Sequence, residues 1–408
     1  AFGAEEEYPF HRPPRRYNPL PSLAPRYWLP SFSLTPRLPT TPDNPASRLL
    51  ARLPFPLNIP GFQFTASTGT SDPLRRYGYS AWLTYRTDAD YWGGGASFTL
   101  NHWLPVFSVS VSASAVPRLY QTLDEGLTDA TGELHLDPTR RLYFERRIAT
   151  SLVMNYPFSV RSSVFAAYDF SDRRARDPIA ADAWAPSVAL RGRLGRLSLG
   201  YRYSWRQPTA RAISPEDART VSAVAGITAP WLGSAAIDDA GVARPITQIQ
   251  LSAEWREYVV MPGVSNHVLA LRAAAGVALN LQGEQFVGNW QLGGNLGDGA
   301  FYVRPAEYRM LRGYPYGAAQ GDTYWLAGAE YRFPIWRMDR GFGTVPAFFR
   351  VLHGAVFAEA GNAFSQVSSF TDAFDDTLVG VGAELRLDTV VWWAGALDLR
   401  LGWAAGLT

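Results

Sequence analysis

The sequence has no cysteine and no lysine, and no apolar run approaches the roughly 18 residues of a membrane-spanning helix. The missing cysteine suits an oxidising envelope compartment. The missing lysine reads as the coding bias of a GC-rich genome. Charge of one sign is also lacking: 38 Lys+Arg against 36 Asp+Glu leave a formal net charge of +2. A nucleic-acid partner would call for a basic stripe, so none is expected. No signal peptide opens the chain, and Ala1 reads as a mature or trimmed start. No G-x-S-x-G elbow, P-loop or H-E-x-x-H occurs, and the five histidines (His11, His102, His135, His267, His353) have no metal-ligand spacing. These absences predict no enzyme, no cofactor and no metal. An envelope protein of this composition is then a β-barrel or a soluble domain.

Aromatics and alternation are abundant. There are 14 Trp, 20 Tyr and 22 Phe. In PVFSVSVSASAV (105–116) Phe107, Val109, Val111, Ala113 and Ala115 oppose Ser108, Ser110, Ser112 and Ser114. RLSLGYRYSWR (196–206), QIQLSAEWR (248–256) and LDLRLGW (397–403) repeat the pattern. Period two is the signature of a strand. These segments run about nine to fifteen residues, longer than the five or six of an ordinary soluble strand and enough for a tilted crossing of a bilayer. Aromatic pairs near segment ends, Tyr77 with Tyr79, Tyr91 with Trp92 and Trp392 with Trp393, fit interfacial girdles. The expected fold is all-β, a transmembrane antiparallel β-barrel, rather than a soluble sandwich that would bury those rings.

Residues 1–59, with Glu5, Glu6, Glu7, an RPPRR cluster and scattered prolines, read as an N-terminal arm or linker, and 60–408 as the barrel. Fifteen candidate strands follow residue 60, among them 185–195 and 196–206. Closed single-chain barrels normally have an even number, so a nominal sixteen is expected. The further strand lies beyond Thr408 or within YWLPSFSLTP at 27–36. This count makes 118–140 a periplasmic connection and puts the NYPFS turn, 155–159, outside, against the usual alternation of short periplasmic and long outer connections.

Segment 281–322 is glycine-rich yet carries Phe301, Tyr302, Val303, Met310, Leu311, Tyr314 and Tyr316, which suit a covered site better than open water. It is expected to fold into the lumen. The next strand, LAGAEYRFPI, places Glu330 and Arg332 opposite Ala329, Tyr331 and Phe333; VFAEAGNAF beyond it presents Glu359. Such a loop could carry Arg312 to these carboxylates, whose geometry suits a planar guanidinium fork.

LRGYPYG (311–317), GAEYRFPI (328–335) and VFAEAGNAF (356–364), in that order, resemble the BamA and TamA outer-membrane assembly superfamily, which includes two-partner-secretion transporters. The resemblance is specific over about 300–408 and architectural before that. It implies a sixteen-stranded barrel in the bacterial outer membrane and an inward loop whose arginine, here Arg312, contacts acids on the next two strands, here Glu330 and Glu359. Gly313 and Tyr314 match the rest of the signature. Glu359 departs from the family's usual aspartate. Two further departures are that 1–59 is too short and proline-rich for a POTRA module, and that GWAAGLT lacks the family's aromatic final strand, so the chain reads as a fragment or part of a fusion.

The implied function is insertion or translocation of polypeptides without covalent chemistry. The alternative is a passive porin-like channel for small solutes, and an outer-membrane hydrolase is disfavoured for want of a nucleophile set. The expected partners are a polypeptide substrate, periplasmic domains or accessory subunits, and outer-membrane lipid and lipopolysaccharide. Arg146–Arg147 and Arg173–Arg174, at loops or strand ends, have two equal readings, contact with lipopolysaccharide phosphates or plain solvation.

Overall fold

A computed structural model describes residues 17–34, 61–128, 134–176, 192–207, 211–237, 242–282, 290–294, 308–315, 317–341, 343–365, 373–392 and 395–407. Its strands, in chain order, begin with β1 (Leu29–Leu34), β2 (Phe62–Ser71), β3 (Tyr77–Arg86), β4 (Tyr91–Leu100) and β5 (Val106–Thr128). β6 (Leu134–Pro157), β7 (Ser162–Ala175), β8 (Gly192–Gln207), β9 (Asp217–Thr228), β10 (Ala235–Ile237) and β11 (Ala243–Pro245) follow. Then come β12 (Thr247–Val260), β13 (Val268–Gln282), β14 (Trp290–Gly293), β15 (Tyr308–Met310) and β16 (Ala319–Gly321). The chain ends with β17 (Thr323–Gly341), β18 (Ala347–Phe364), β19 (Leu378–Val391) and β20 (Gly395–Gly406).

Each wall strand pairs antiparallel with the next, from β1 through β9, then β12, β13 and β17 to β20. β10 and β11 form a hairpin that also pairs with β8, while β14, β15 and β16 make a separate small sheet within the loop before β17. Among the described residues no ladder joins β1 to β20. Both of these edges run toward the same end of the sheet, as their registers with β2 and β19 require.

The wall is inverted relative to a soluble sheet. Mid-strand Leu152, Leu199, Leu251, Val356, Leu385 and Leu399 are exposed, whereas Glu330, His353, Gln248, Gln250 and Arg386 are buried. A strand alternating apolar-out and polar-in satisfies hydrocarbon outside and water or polar partners within. Trp92, Trp103 and Trp392 stand more than half exposed at or beside strand ends, where an amphipathic ring suits the headgroup layer.

The structure revises the strand count in its details. Leu29–Leu34, inside YWLPSFSLTP, pairs with β2 and takes the first place in the wall. That one strand reverses the direction assigned to β2 through β7; from β8 on, the merging of two candidate strands into one restores it. The NYPFS turn now lies at the short-turn end, with 72–76, 101–105, 261–267 and 343–346. Residues 118–128 and 134–140 fall at the long-loop end, within the extended β5–β6 hairpin, whose ladder continues to Glu125↔Leu136. A hairpin standing clear of the bilayer needs no apolar face, so its alternation fades and it reads as loop. The two candidate strands 185–195 and 196–206 reduce, among described residues, to β8 alone. Gly195 there marks a close approach rather than a break, for a Cβ on it would lie 1.8 Å from the Leu232 carbonyl oxygen. Fifteen wall strands are described in all.

Of the residues expected as an arm, Leu20–Leu23 form a short 3-10 turn and Leu29–Leu34 form β1. Residues 1–16 and 35–59 lie outside the described residues, as do Phe301, Tyr302, Val303 and Tyr316 of the loop.

Candidate functional site

Register builds the site. β17, β18 and β19 place Gly328, Glu359 and Gly380 side by side, and Glu330, Phe357 and Gly382 in the next row. Glu359 thus stands between two glycines, which leaves a pit on the inward face. The loop descends into it. Leu292 and Leu311 are fully buried and cluster with Trp290, Tyr324, Leu326, Ala274 and Ala363. Arg309 lies 4.8 Å from the Trp290 ring centroid and 5.2 Å from that of Tyr324, whose hydroxyl accepts its Nε–H at 3.1 Å.

Arg312 fills the pit. Its Nε and Nη2 donate to Glu359 Oε1 at 3.0 and 2.5 Å, and its backbone N–H donates to Glu359 Oε2 at 2.9 Å. Nη2 lies 2.9 Å from Glu330 Oε2, and Nη1 donates to Glu384 Oε1 at 2.7 Å. Two more arginines complete the cluster. Arg332 donates to Glu330 at 2.7 Å, and Arg386 bridges Glu330 at 2.8 Å and Glu384 at 2.7 Å. Three carboxylates thus meet three guanidinium groups. The Arg312, Glu330, Glu359 and Glu384 side chains are 10–14% exposed. Burial at this depth is costly for any one ion, and only mutual pairing and hydrogen bonds offset it.

The next two loop residues grip the last hairpin. Gly313 has φ +97°, a left-handed conformation that favours glycine, and a Cβ there would come within 2.7 Å of the Ala405 backbone. Tyr314 donates its hydroxyl proton to the Val379 carbonyl at 2.8 Å and accepts the Val379 N–H at 2.9 Å. Its ring lies over Gly406, where a Cβ would stand 2.7 Å from it.

The structure therefore gathers Arg312, Glu330 and Glu359, and sets Gly313 and Tyr314 against β19 and β20. Sequence reasoning missed Glu384 and Arg386. The signal was present: in VGVGAELRLD, Gly380, Gly382, Glu384, Arg386 and Asp388 alternate with Val379, Val381, Ala383, Leu385 and Leu387. Among the described residues no group of three or more His, Asp or Glu is placed to hold a metal ion. Beside the cluster lies a polar cavity of about 580 Å³, lined by the three arginines, their carboxylates and also Arg256, Arg272, Arg309 and Arg400.

The Omp85 superfamily domain matches residues 231–391, a span that holds the loop and every member of the ion cluster. Residues 231–391 are an Omp85 superfamily domain. The barrel that contains this Omp85 domain belongs to the bacterial outer membrane, and its exposed apolar wall fits a lipid surround. The chain is similar in fold to BamA from Haemophilus ducreyi lacking POTRA domains 1–3, with a TM-score of 0.50 and 12% identity over 85% of this chain and 68% of that one. CdiB from Escherichia coli aligns with a TM-score of 0.48 and 13% identity, and CdiB from Acinetobacter baumannii with 0.39 and 9%. Each alignment covers 85% of this chain, but only 56% and 57% of the two CdiB chains. No curated protein sequence matches the chain.

Proposed function

We propose that this Omp85 barrel inserts or translocates polypeptides without covalent chemistry, using the seam between β1 and β20 under the control of the Arg312 loop. The observation that carries the reading is mechanical. The loop is bolted by Arg312 to β17, β18 and β19, and by Gly313 and Tyr314 to the β19–β20 hairpin that borders the seam. A polypeptide strand can pair with such an edge through backbone hydrogen bonds irrespective of its side chains. The substrate and any periplasmic domain or accessory subunit belong to the proposal as its partners.

Deletion of the gene, followed by quantitation of outer-membrane and secreted polypeptides, tests this reading. A defined set of polypeptides should fall and return on complementation with the wild type, and more weakly with Arg312→Ala. An unchanged profile would refute it. The polar cavity supports a second reading, a porin-like passage for small solutes. Steady open conductance of the wild type in planar bilayers, together with an unchanged polypeptide profile, would favour that passage instead.

A further inference from the structure

The outward face of β6–β8 changes character at the long-loop end. Leu152, Met154, Leu199 and Tyr201 stand exposed in its lower part, as lipid contact demands. Higher up, the same outward positions become Arg146 on β6, Arg174 on β7 and Arg193 on β8. Arg146 is directly opposite Arg174, and Arg193 is opposite Asp172, the carboxylate that pairs with Arg174 at 3.1 Å. All three arginines are exposed. Three cations and one anion share this surface. It is a local feature: the last outward positions described on β13, Leu279 and Leu281, are apolar.

A second observation sets the level of the headgroups. The chain between β9 and β10 leaves the wall at 229–234 and lies on the outer side of β7 and β8. There the Tyr168 hydroxyl donates to the Leu232 carbonyl at 2.9 Å, and Ser234 exchanges hydrogen bonds with the Gly195 backbone. This excursion presents Trp231, 70% exposed. An exposed tryptophan held against the outer wall belongs in the interfacial layer. Below it opens an apolar groove of about 810 Å³, floored by Ala223, Ala225 and Ala253 between Leu199 and Leu251. The open route from the arginines to the groove runs down β6, from Arg146 past the exposed Ile148 and Leu152 to Met154, which lines the groove; that is eight residues of strand, about 26 Å, room for a headgroup and a long acyl chain.

We propose that this face holds a phosphorylated lipid of the outer leaflet, its phosphate against Arg146, Arg174 and Arg193 and an acyl chain extending down to the alanine-floored groove. The arginines supply charge-assisted donors to the phosphate. The groove supplies a fitted surface that a flat wall lacks. The inference is independent of the polypeptide reading, since none of these residues touches the loop or the seam.

The test uses the full chain refolded in detergent. It is mixed with equal amounts of phosphatidic acid and phosphatidylcholine of matched acyl chains, and retained lipid is counted by native mass spectrometry. The wild type should retain phosphatidic acid preferentially. Arg146→Gln/Arg174→Gln/Arg193→Gln should lower that preference about tenfold, since each cation near an anionic surface contributes and Asp172 offsets part of the sum. Arg161→Gln/Arg206→Gln, at the short-turn end, should leave it unchanged. If the triple variant does not refold, Arg193→Gln alone should show a partial loss. Equal retention of the two lipids by the wild type, or unaltered preference in the outward-face variants, would overturn the proposal. So would displacement of phosphatidic acid by equimolar inorganic phosphate, because the site would then recognise the anion without its chain.

Discussion

The Arg312 guanidinium carbon lies 3.3 Å from the centroid of the Phe357 ring. Phe357 precedes Glu359 by two residues and so shares its inward face; the ring floors the guanidinium while the carboxylate grips its edge. A desolvated cation over an aromatic face gains about 2 kcal/mol. Phe357→Leu keeps every carboxylate in place and removes only the ring. It should loosen the loop by about 1–2 kcal/mol, read as faster proteolysis within 295–322 at unchanged barrel mobility on mild gels. A cleavage rate equal to the wild type would show that the stack contributes nothing.

Arg312→Ala strands three carboxylates around an empty pit. Breaking a fully buried pair costs about 3–5 kcal/mol, and the residual exposure and the adjoining polar cavity reduce that figure here. Arg332 and Arg386 remain to absorb part of the charge. The loop should therefore detach while the wall, held by its backbone ladders, keeps its heat-modifiable migration. Arg312→Lys should restore the loop only in part, because an ammonium cannot serve Glu359 and Glu384 through one planar fork. Full rescue by lysine would count against the fork.

Gly380→Ala separates shape from charge. A Cβ at this position would lie 2.0 Å from the Arg312 carbonyl oxygen, a backbone atom that cannot swing aside. Every ionic group is retained, yet the loop should be expelled about as thoroughly as by Arg312→Ala. Comparing the two by limited proteolysis measures how much of the lock is fit. A Gly380→Ala protein with a wild-type loop would show that the pit is less tight than the geometry requires.

A pH-dependent contact lies at the other end of the wall. The Tyr17 hydroxyl donates to the Asp72 carboxylate, which also accepts the Tyr77 N–H at 2.7 Å and is 1% exposed. Burial pushes the Asp72 carboxyl up, but hydrogen bonds from Tyr17 and from the Tyr77, Arg76 and Leu74 backbone outweigh it and hold it below its usual value of 3.8. A depressed carboxyl stabilises the clasp above the ordinary aspartate range, and that stability is lost as pH falls through the lowered value. Protease protection of residues 17–28 should persist at neutral pH and disappear only in strong acid. Asp72→Asn should remove that acid transition. An acid transition retained in Asp72→Asn would assign it to another group.

Much of this architecture is legible in the sequence because lipid outside and polar surroundings inside impose opposite preferences on neighbouring residues. The serine–apolar alternation of 105–116 and the LDLRLGW run reveal strands and faces directly. The same alternation gives Glu330 its inward parity, and the order of LRGYPYG, GAEYRFPI and VFAEAGNAF singles out Arg312 and Glu359. Alternation is a property of one strand, however, and carries no information on which strands stand beside it. Register alone decided that Glu359 sits between Gly328 and Gly380, and that Arg386 on β19 reaches Glu330 on β17 across an intervening strand. Six residues of a proline-rich segment, Leu29–Leu34, became the first wall strand because Phe62–Ser71 offered an edge to pair with. Parity of the strand count left that strand as one of two possibilities, and only its pairing with β2 fixed the direction of β2 through β7.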